Sequence, residues 1–520
     1  MHTILTIASL ILAALALTSI ALGHGGIIES LGRLRGLGTR LSLLGVLLLT
    51  VGALTARAFI TLDEEAEKRI ARGTEPGDTI STGFDTKARF LSQSHPLGRV
   101  VDRNGLLLAG YVNRDGHLKR YYPAGAATAH IVGYWTGPIR DGVGVEKGLV
   151  YLNDSLRDDR PHDVALSLDL RLQADALKAL GGRNGAVVVL NSRTGEVLAA
   201  ASTPSYDPNV VASDSAWKRY ASDEIGRPLT SRALRDDFSP GSSIKPLVAA
   251  AALTYDTPLP EEEGFSCVGT YTPGPGIRPI TDHGSSHGRV TLASAMRVSC
   301  NTYFSHLAYG LVGFDRMQAF LEDVGANETL LWNTNVFLNR SGALRLSPSR
   351  VEAADEIARS RVGIGQASVK LNPLHAAVIY GGIAEGGLFL RPRLERDIPN
   401  DTLAADTTKP DAPSWALSAV TAERIAEVML EPLKPGGTAS GIFNALKGRG
   451  ITVYGKTGTA DREPDGRAPS WFSSFAEKGN RRYVVIVVIE NRRGSYAGDL
   501  NAPIARAMYE ALEKYGYFRE

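Results

Sequence analysis

Phe238-Ser239-Pro240-Gly241-Ser242-Ser243-Ile244-Lys245, followed by Pro246 and the apolar run Leu247 to Leu253, is the stretch that decides how this chain folds around its chemistry. Pro240-Gly241 predicts a tight turn, and the apolar run predicts a buried helix whose first turn carries Ser242 and Lys245. Residues three apart on a helix share a face, so the Lys245 ammonium can approach the Ser242 hydroxyl. A lysine buried near a helix N-terminus loses basicity and becomes a base at neutral pH, and the helix dipole favours an oxyanion forming beside Ser242. Ser-x-x-Lys alone is weak. Ser215-Ala216-Trp217-Lys218 matches equally well, but it lacks the turn before and the apolar helix after, and reads as an exposed segment.

Two further motifs lie downstream. Ser299-Cys300-Asn301 is the only Ser-x-Asn in the chain and falls between the helical patterns of Leu292 to Val298 and Thr302 to Tyr309. There Ser299 can relay a proton and the Asn301 amide can hold a peptide, although Ser and Asn also cap helices at such places. Lys456-Thr457-Gly458-Thr459 follows the β-prone Ile451 to Tyr454. A lysine, two hydroxyls and a glycine at a strand edge suit a substrate carboxylate, with Gly458 admitting substrate backbone and the Thr459 amide facing an oxyanion.

Around these motifs, Gly185 to Leu190 and Glu196 to Ala201 read as a hairpin, and Asp169 opens a helix running to about Leu180. Trp471 to Ala476 and Tyr483 to Glu490 read as strands, with a helix from Ala502 to Lys514. Strands at both ends with helical patterns between predict an α/β domain closed by its own termini. Upstream, Gly98 to Ala109 reads as two strands about an Asn-Gly turn, and Thr402 to Ser414 reads as a surface loop.

The N-terminus carries two apolar runs, Thr3 to Gly23 and Leu41 to Ile60, each long enough to cross a bilayer. Arg33, Arg35 and Arg40 between them predict a cytoplasmic loop over 24–40, with transmembrane helices over 1–23 and 41–60 and both chain ends outside. Over the whole chain, 57 Lys/Arg against 55 Asp/Glu give a net charge of +2, which argues against nucleic-acid binding through phosphate neutralisation. Cys267 and Cys300, the two cysteines, exclude a disulfide-stapled fold and leave no room for a multi-cysteine metal site.

Ser-x-x-Lys, Ser-x-Asn and Lys-Thr-Gly in this order are the set tied to penicillin-binding proteins and serine β-lactamases. From Gly98 onward the chain resembles a class B penicillin-binding protein. The likeness includes Arg99, Asp102 to Gly105, Arg120 to Pro123, Ala129 to Tyr134 and Gly144 to Gly148. It continues through His287-Gly288, Gly363 to Gln366, Gly437 to Ala439 and Trp471-Phe472.

The resemblance implies an α/β, β-lactamase-like transpeptidase domain over 164–520: an antiparallel sheet flanked by helices, plus an all-helical lobe. A mainly-β dimerisation or pedestal domain over 61–163 would precede it. It further implies a peptidoglycan D,D-transpeptidase anchored in the bacterial cell membrane with its catalytic domain extracytoplasmic. Ser242, Lys245, Ser299 and Lys456 would be catalytic; Asn301, Thr457, Gly458 and Thr459 would bind the stem peptide. β-Lactams would acylate the site, and no metal or organic cofactor is implied. A membrane glycosyltransferase of the shape, elongation, division and sporulation type is the implied partner. The alternatives are a penicillin-sensing or scaffold protein, and a β-lactamase or D,D-carboxypeptidase. Cys300, in the variable middle of its motif, is expected to be a buried thiol, and His287 a structural hydrogen-bonder.

Overall fold

The computed structural model describes residues 97–519 apart from 115–116, 137–141, 157–160, 285, 334–337, 339–340, 398–416, 462–465 and 492–496. The two N-terminal apolar runs, the loop between them and the segment 402–414 lie outside the described residues. Among the described residues, no helix is long and apolar enough to cross a membrane.

Two five-stranded sheets carry the fold. In chain order their strands are β1 (Val100–Val101), β2 (Leu107–Arg114), β3 (His117–Tyr121), β4 (Val164–Leu166) and β5 (Gly185–Asn191). Then come β6 (Val197–Thr203), β7 (Glu395–Asp397), β8 (Thr452–Thr459), β9 (Ala468–Lys478) and β10 (Arg481–Asn491). The helices that matter here are α1 (Leu170–Leu180), α2 (Lys245–Thr254), α3 (Leu292–Val298), α4 (Asn301–Ser305), α5 (Pro373–Ala384), α6 (Ala419–Met429) and α7 (Ala497–Lys514).

The larger sheet runs β8-β9-β10-β5-β6 and is antiparallel throughout. Its C-terminal strands pair with the earlier hairpin where β10 meets β5, Val488 opposite Ala186, so the domain is closed by its two ends as the sequence predicts. Strands β5 and β6 read as unbroken apolar runs because both their faces are covered. On one face α1 and α7 bury Leu172, Ala176, Leu180, Met508, Tyr509 and Leu512 against Val187 and Phe472. On the other lies α5, buried at every residue, which explains why its sequence is apolar all round. Helix α1 begins and ends where its sequence says it must. The Asp169 carboxylate accepts the Arg171 N–H at 2.9 Å, and Gly181 closes the helix in the left-handed conformation.

The smaller sheet, ordered β7-β4-β1-β2-β3, takes β1 to β4 from the upstream sequence and its edge strand β7 from far downstream, where Glu395 pairs with Leu166. Asp102 accepts N–H bonds from Asn104 (2.8 Å), Leu106 (2.9 Å) and Leu170 (3.1 Å), tying the β1–β2 turn to the start of α1. Arg120 grips Glu146 through two parallel bonds of 2.9 and 2.6 Å, and Tyr122 donates to the same carboxylate at 3.0 Å. Glu146 is fully buried, so its removal would strand the Arg120 cation away from water. Glu146→Ala should therefore destabilise the chain by about 3–5 kcal/mol, measured by urea unfolding. A loss under about 1 kcal/mol, the scale of an exposed pair, would show that solvent reaches this pair.

Candidate active site

Ser242 sits in a 3-10 turn, Gly241–Ile244, that runs directly into α2. At three residues per turn, side chains i and i+3 eclipse, so Ser242 and Lys245 project in line. Gly241, Ser243, Ile244 and Lys245 are buried, while Ser242 keeps partial exposure. The turn is held by its surroundings. Gly241 N–H donates to Gly365 O at 3.0 Å, Tyr380 of α5 donates to Ser243 O at 2.8 Å, and Trp471 Nε1 donates to Ser239 O at 2.9 Å.

Two glycines bring β8 against this turn. A Cβ on Gly241 (φ +54°) would lie 2.5 Å from Thr459 O, and one on Gly458 would lie 2.3 Å from Pro240 O. The close approach that Gly458 permits is thus by the protein's own turn, where the sequence suggested substrate backbone. Strand β8 is the edge of the larger sheet, as the Lys-Thr-Gly reading expects.

Ser299 joins α3 to α4, and neither helix needs it as an N-cap. Thr291 caps α3 with a reciprocal Ser294 bond, and the Cys300 sulfur caps α4. Ser299 instead holds φ +58°, ψ +46°, a left-handed conformation that disfavours any side chain. That turn aims its carbonyl and hydroxyl at two buried lysines. Lys245 Nζ donates to Ser299 O at 2.7 Å, Ser299 Oγ at 3.1 Å and Asn301 Oδ1 at 2.8 Å. Lys456 Nζ donates to the same Ser299 Oγ at 2.8 Å and to Thr457 O at 2.8 Å.

The sequence spacing lets the Lys245 ammonium approach the Ser242 hydroxyl. The hydrogen bonds of Lys245 among the described residues go to Ser299 and Asn301, because three acceptors there match the three donors of an ammonium. Both lysines are fully buried. Burial lowers Lys245 to about 7, against the raising influence of Cys300 and Asp282. Burial also lowers Lys456, and the neighbouring Lys245 charge pushes it down further.

Asn301 is anchored on its other side, its Nδ2 donating to Thr281 O at 3.0 Å and its N–H to Asp282 Oδ1. Thr457 Oγ1 donates to Thr438 at 2.7 Å, so the Gly437 to Ala439 block flanks the edge strand. The other Ser-x-x-Lys is no rival: Ser215 and Lys218 lie exposed on the helix Asp214–Ala221.

Sequence reasoning missed Asp282 entirely, since nothing around it makes a motif. It also missed that Cys300 is not a solitary thiol. Its sulfur, with Cys267 Sγ, Asp282 and His287, forms a group of potential ligand atoms all within 4.8 Å of one another. The two cysteines, too few for a multi-cysteine metal site, stand here beside a histidine and an aspartate.

A part-exposed serine on a glycine-held turn, with two depressed lysines sharing a second hydroxyl beside an edge strand, defines a serine acyl-transfer site. Residues 185–510 match the family model for the penicillin binding protein transpeptidase domain. The chain is 30% identical over 451 residues to Peptidoglycan D,D-transpeptidase PbpA of Mycobacterium tuberculosis, covering 79% of this chain and 88% of that protein. It is similar to the crystal structure of the D,D-transpeptidase domain of a peptidoglycan glycosyltransferase from Eggerthella lenta. There the TM-score is 0.68 and the identity 28%, over 81% of this chain and 99% of the other. It is also similar to the penicillin G acyl-enzyme complex of penicillin-binding protein A from M. tuberculosis, with TM-score 0.66 and 27% identity over 81% and 100% of the two chains. The chain belongs to the penicillin-binding protein transpeptidase family, and within it to the class B members.

Proposed function

We propose that this protein is a peptidoglycan D,D-transpeptidase in which Ser242 attacks the penultimate D-alanine carbonyl of a stem pentapeptide. One observation carries this: Lys245, Ser299 and Lys456 form a continuous hydrogen-bonded path through a single hydroxyl, beside the nucleophile turn. Neutral Lys245 takes the Ser242 proton as the Oγ–carbon bond forms. The backbone N–H groups of Ser242 and Thr459 stabilise the oxyanion; the backbone of Thr459 lies against Gly241. Collapse breaks the peptide bond, and the terminal D-alanine leaves with a proton delivered by way of Ser299 and Lys456. An amine from a neighbouring stem then attacks the ester and gives up a proton to the lysines, and Lys245 passes a proton to Ser242 Oγ as the ester carbon–oxygen bond breaks. Asn301, Thr457 and Thr459 hold the substrate peptide and its carboxylate. β-Lactams acylate the same serine.

Cross-linking requires an acyl-enzyme that outlasts water and yields to an amine. A thioester mimic of the D-alanyl-D-alanine stem should acylate the purified full chain and hydrolyse slowly. Added D-alanine should then give exchanged product in proportion to its concentration. Fast hydrolysis indifferent to acceptor would assign a carboxypeptidase or β-lactamase instead.

The N-terminal apolar runs support a membrane anchor with the catalytic domain outside, and residues 61–163 a pedestal beneath a 164–520 catalytic domain. Strand β3, at an edge of the smaller sheet with Leu118 68% exposed, suits docking of a membrane polymerase. Impermeant thiol reagent on intact cells should label a cysteine placed at exposed Val420 and spare one at Thr39. A photo-crosslinker at Leu118 should capture a membrane glycosyltransferase. Labelling of Thr39 would overturn the topology, and capture of no polymerase the docking.

A further inference from the structure

Three segments that the acyl transfer itself does not use meet beyond Thr459. The first is the hairpin that pairs Thr270–Tyr271 with Ile280–Thr281. Its loop carries exposed Arg278, and its Thr281 carbonyl accepts the Asn301 side-chain N–H at 3.0 Å. The second is the 3-10 turn Val362–Ile364, which Arg361 opens. That turn is seated on the nucleophile's own: Gly365 O accepts the Gly241 N–H at 3.0 Å, and a Cβ on Gly365 would lie 2.3 Å from Gly241 O. The third is the end of β8, where the Ala460 N–H donates to Pro469 O at 2.9 Å and exposed Asp461 follows.

These segments set two cations side by side. Arg361 Nη2 donates to the Arg278 carbonyl at 3.1 Å. Burial lowers the basicity of Arg361, the Arg278 charge lowers it further, and Asp461 acts in the opposite sense. Among the described residues neither arginine forms an ion pair, so the repulsion between them goes unanswered within the protein. A guanidinium offers five donors in a planar fork that matches a carboxylate, and Arg361 spends one of them on Arg278 O. The pair is suited to an anion that arrives with the substrate.

Strand direction says which part of a stem peptide arrives there. The terminal carboxylate belongs with Thr457 and the oxyanion with Thr459, so the acyl half of the donor continues past Thr459 towards Asp461. Two strand residues advance roughly 7 Å. Along the stem, the residue before the acylated D-alanine is about 3.8 Å away, and its side chain extends further. That neighbour is the third residue of the stem.

We propose that Arg278 and Arg361 select donor stems whose third residue ends its side chain in a free carboxylate, with Asp461 taking an amine on the same carbon. The substrate class is a diamino-dicarboxylic third residue, in preference to its carboxamide or to a lysine-like diamine. A lone amine would meet two cations and one anion. A carboxamide would deprive the guanidinium forks of a charged acceptor. The inference rests on the D,D-transpeptidase reading and adds what such an enzyme would distinguish.

Three thioester mimics of the D-alanyl-D-alanine stem, differing only at the third side chain, test it on the full chain. One ends in amine and carboxylate, one in amine and carboxamide, and one in the amine alone. The first should acylate with a kcat/KM about 10–100-fold above the other two, the scale of hydrogen bonds to a charged group. Arg361→Gln and Arg278→Gln should each cut that ratio by about threefold or more. Arg361→Lys should keep part of it, since lysine retains the charge without the fork. Arg278→Glu should turn the preference towards the amine alone. Acetylating the side-chain amine should cost the parent several-fold and Asp461→Asn nothing. Each ratio compares substrates on one preparation, so incomplete folding of a variant cannot imitate the loss. Equal acylation by all three mimics, or a ratio that survives both glutamine variants, would overturn the inference and leave the transpeptidase reading standing. Acylation by none of them would overturn that reading, and this inference with it.

Discussion

Ser242→Ala should abolish covalent labelling by a fluorescent penicillin, a loss of roughly 10⁴-fold or more in acylation rate. No other hydroxyl shares its position: it is the part-exposed residue of a buried turn and stands in line with a lysine. Ser215→Ala should change nothing, because Ser215 lies on an exposed helix and its hydroxyl pairs only with Ser213 among the described residues. Lys245→Met, which keeps the side-chain volume and removes the base, should cost about 10²–10⁴-fold. The double variant should be no worse than Ser242→Ala, since groups acting on one proton are not additive. Labelling of the Ser242 variant, or a labelled peptide containing Ser215, would end the assignment.

The sequence made much of this legible, for uneven reasons. The closure of the larger sheet was readable because β5, β6 and β10 are covered on both faces and so spell continuous apolar runs between turns. Helix α1 was readable from Asp169 to about Leu180 because its Asp169 cap acts within one turn of chain. The three motifs were found because each is local. What they do to one another was not readable. Local spacing puts Lys245 beside Ser242, yet its ammonium bonds were settled by Ser299, 54 residues away. Gly458 looked like room for substrate, and only the tertiary approach of Pro240 reveals what fills it. Asp282 gave no signal, because a single aspartate in a Gly-rich loop acquires meaning only when two strand pairings bring Cys267 and His287 to it.

Acylation should rise with pH along a limb centred near 7, the value to which burial lowers Lys245. Below it the ammonium spends three donors on Ser299 and Asn301 and has no lone pair for the Ser242 proton; above it the neutral amine does. The rate should therefore fall about tenfold for each pH unit below the midpoint and level off above it. Two lysines on one hydroxyl titrate together, so the limb belongs to the pair. This makes Lys456→Ala informative in two ways. Their repulsion acts on Lys245 only while Lys456 keeps its proton, so a limb that moves to higher pH in this variant reports a charged Lys456 and an unmoved limb a neutral one. Losing the path from Ser299 to the leaving amine should also lower the plateau by about 10²–10⁴-fold. Stopped-flow acylation across pH 5–9 separates the two effects. A lowered plateau with an unmoved limb would mean that Lys456 holds Ser299 in place without sharing its charge state with Lys245. A limb that moved to lower pH would contradict the electrostatics outright, and a pH-independent rate in the parent chain would remove Lys245 as the base.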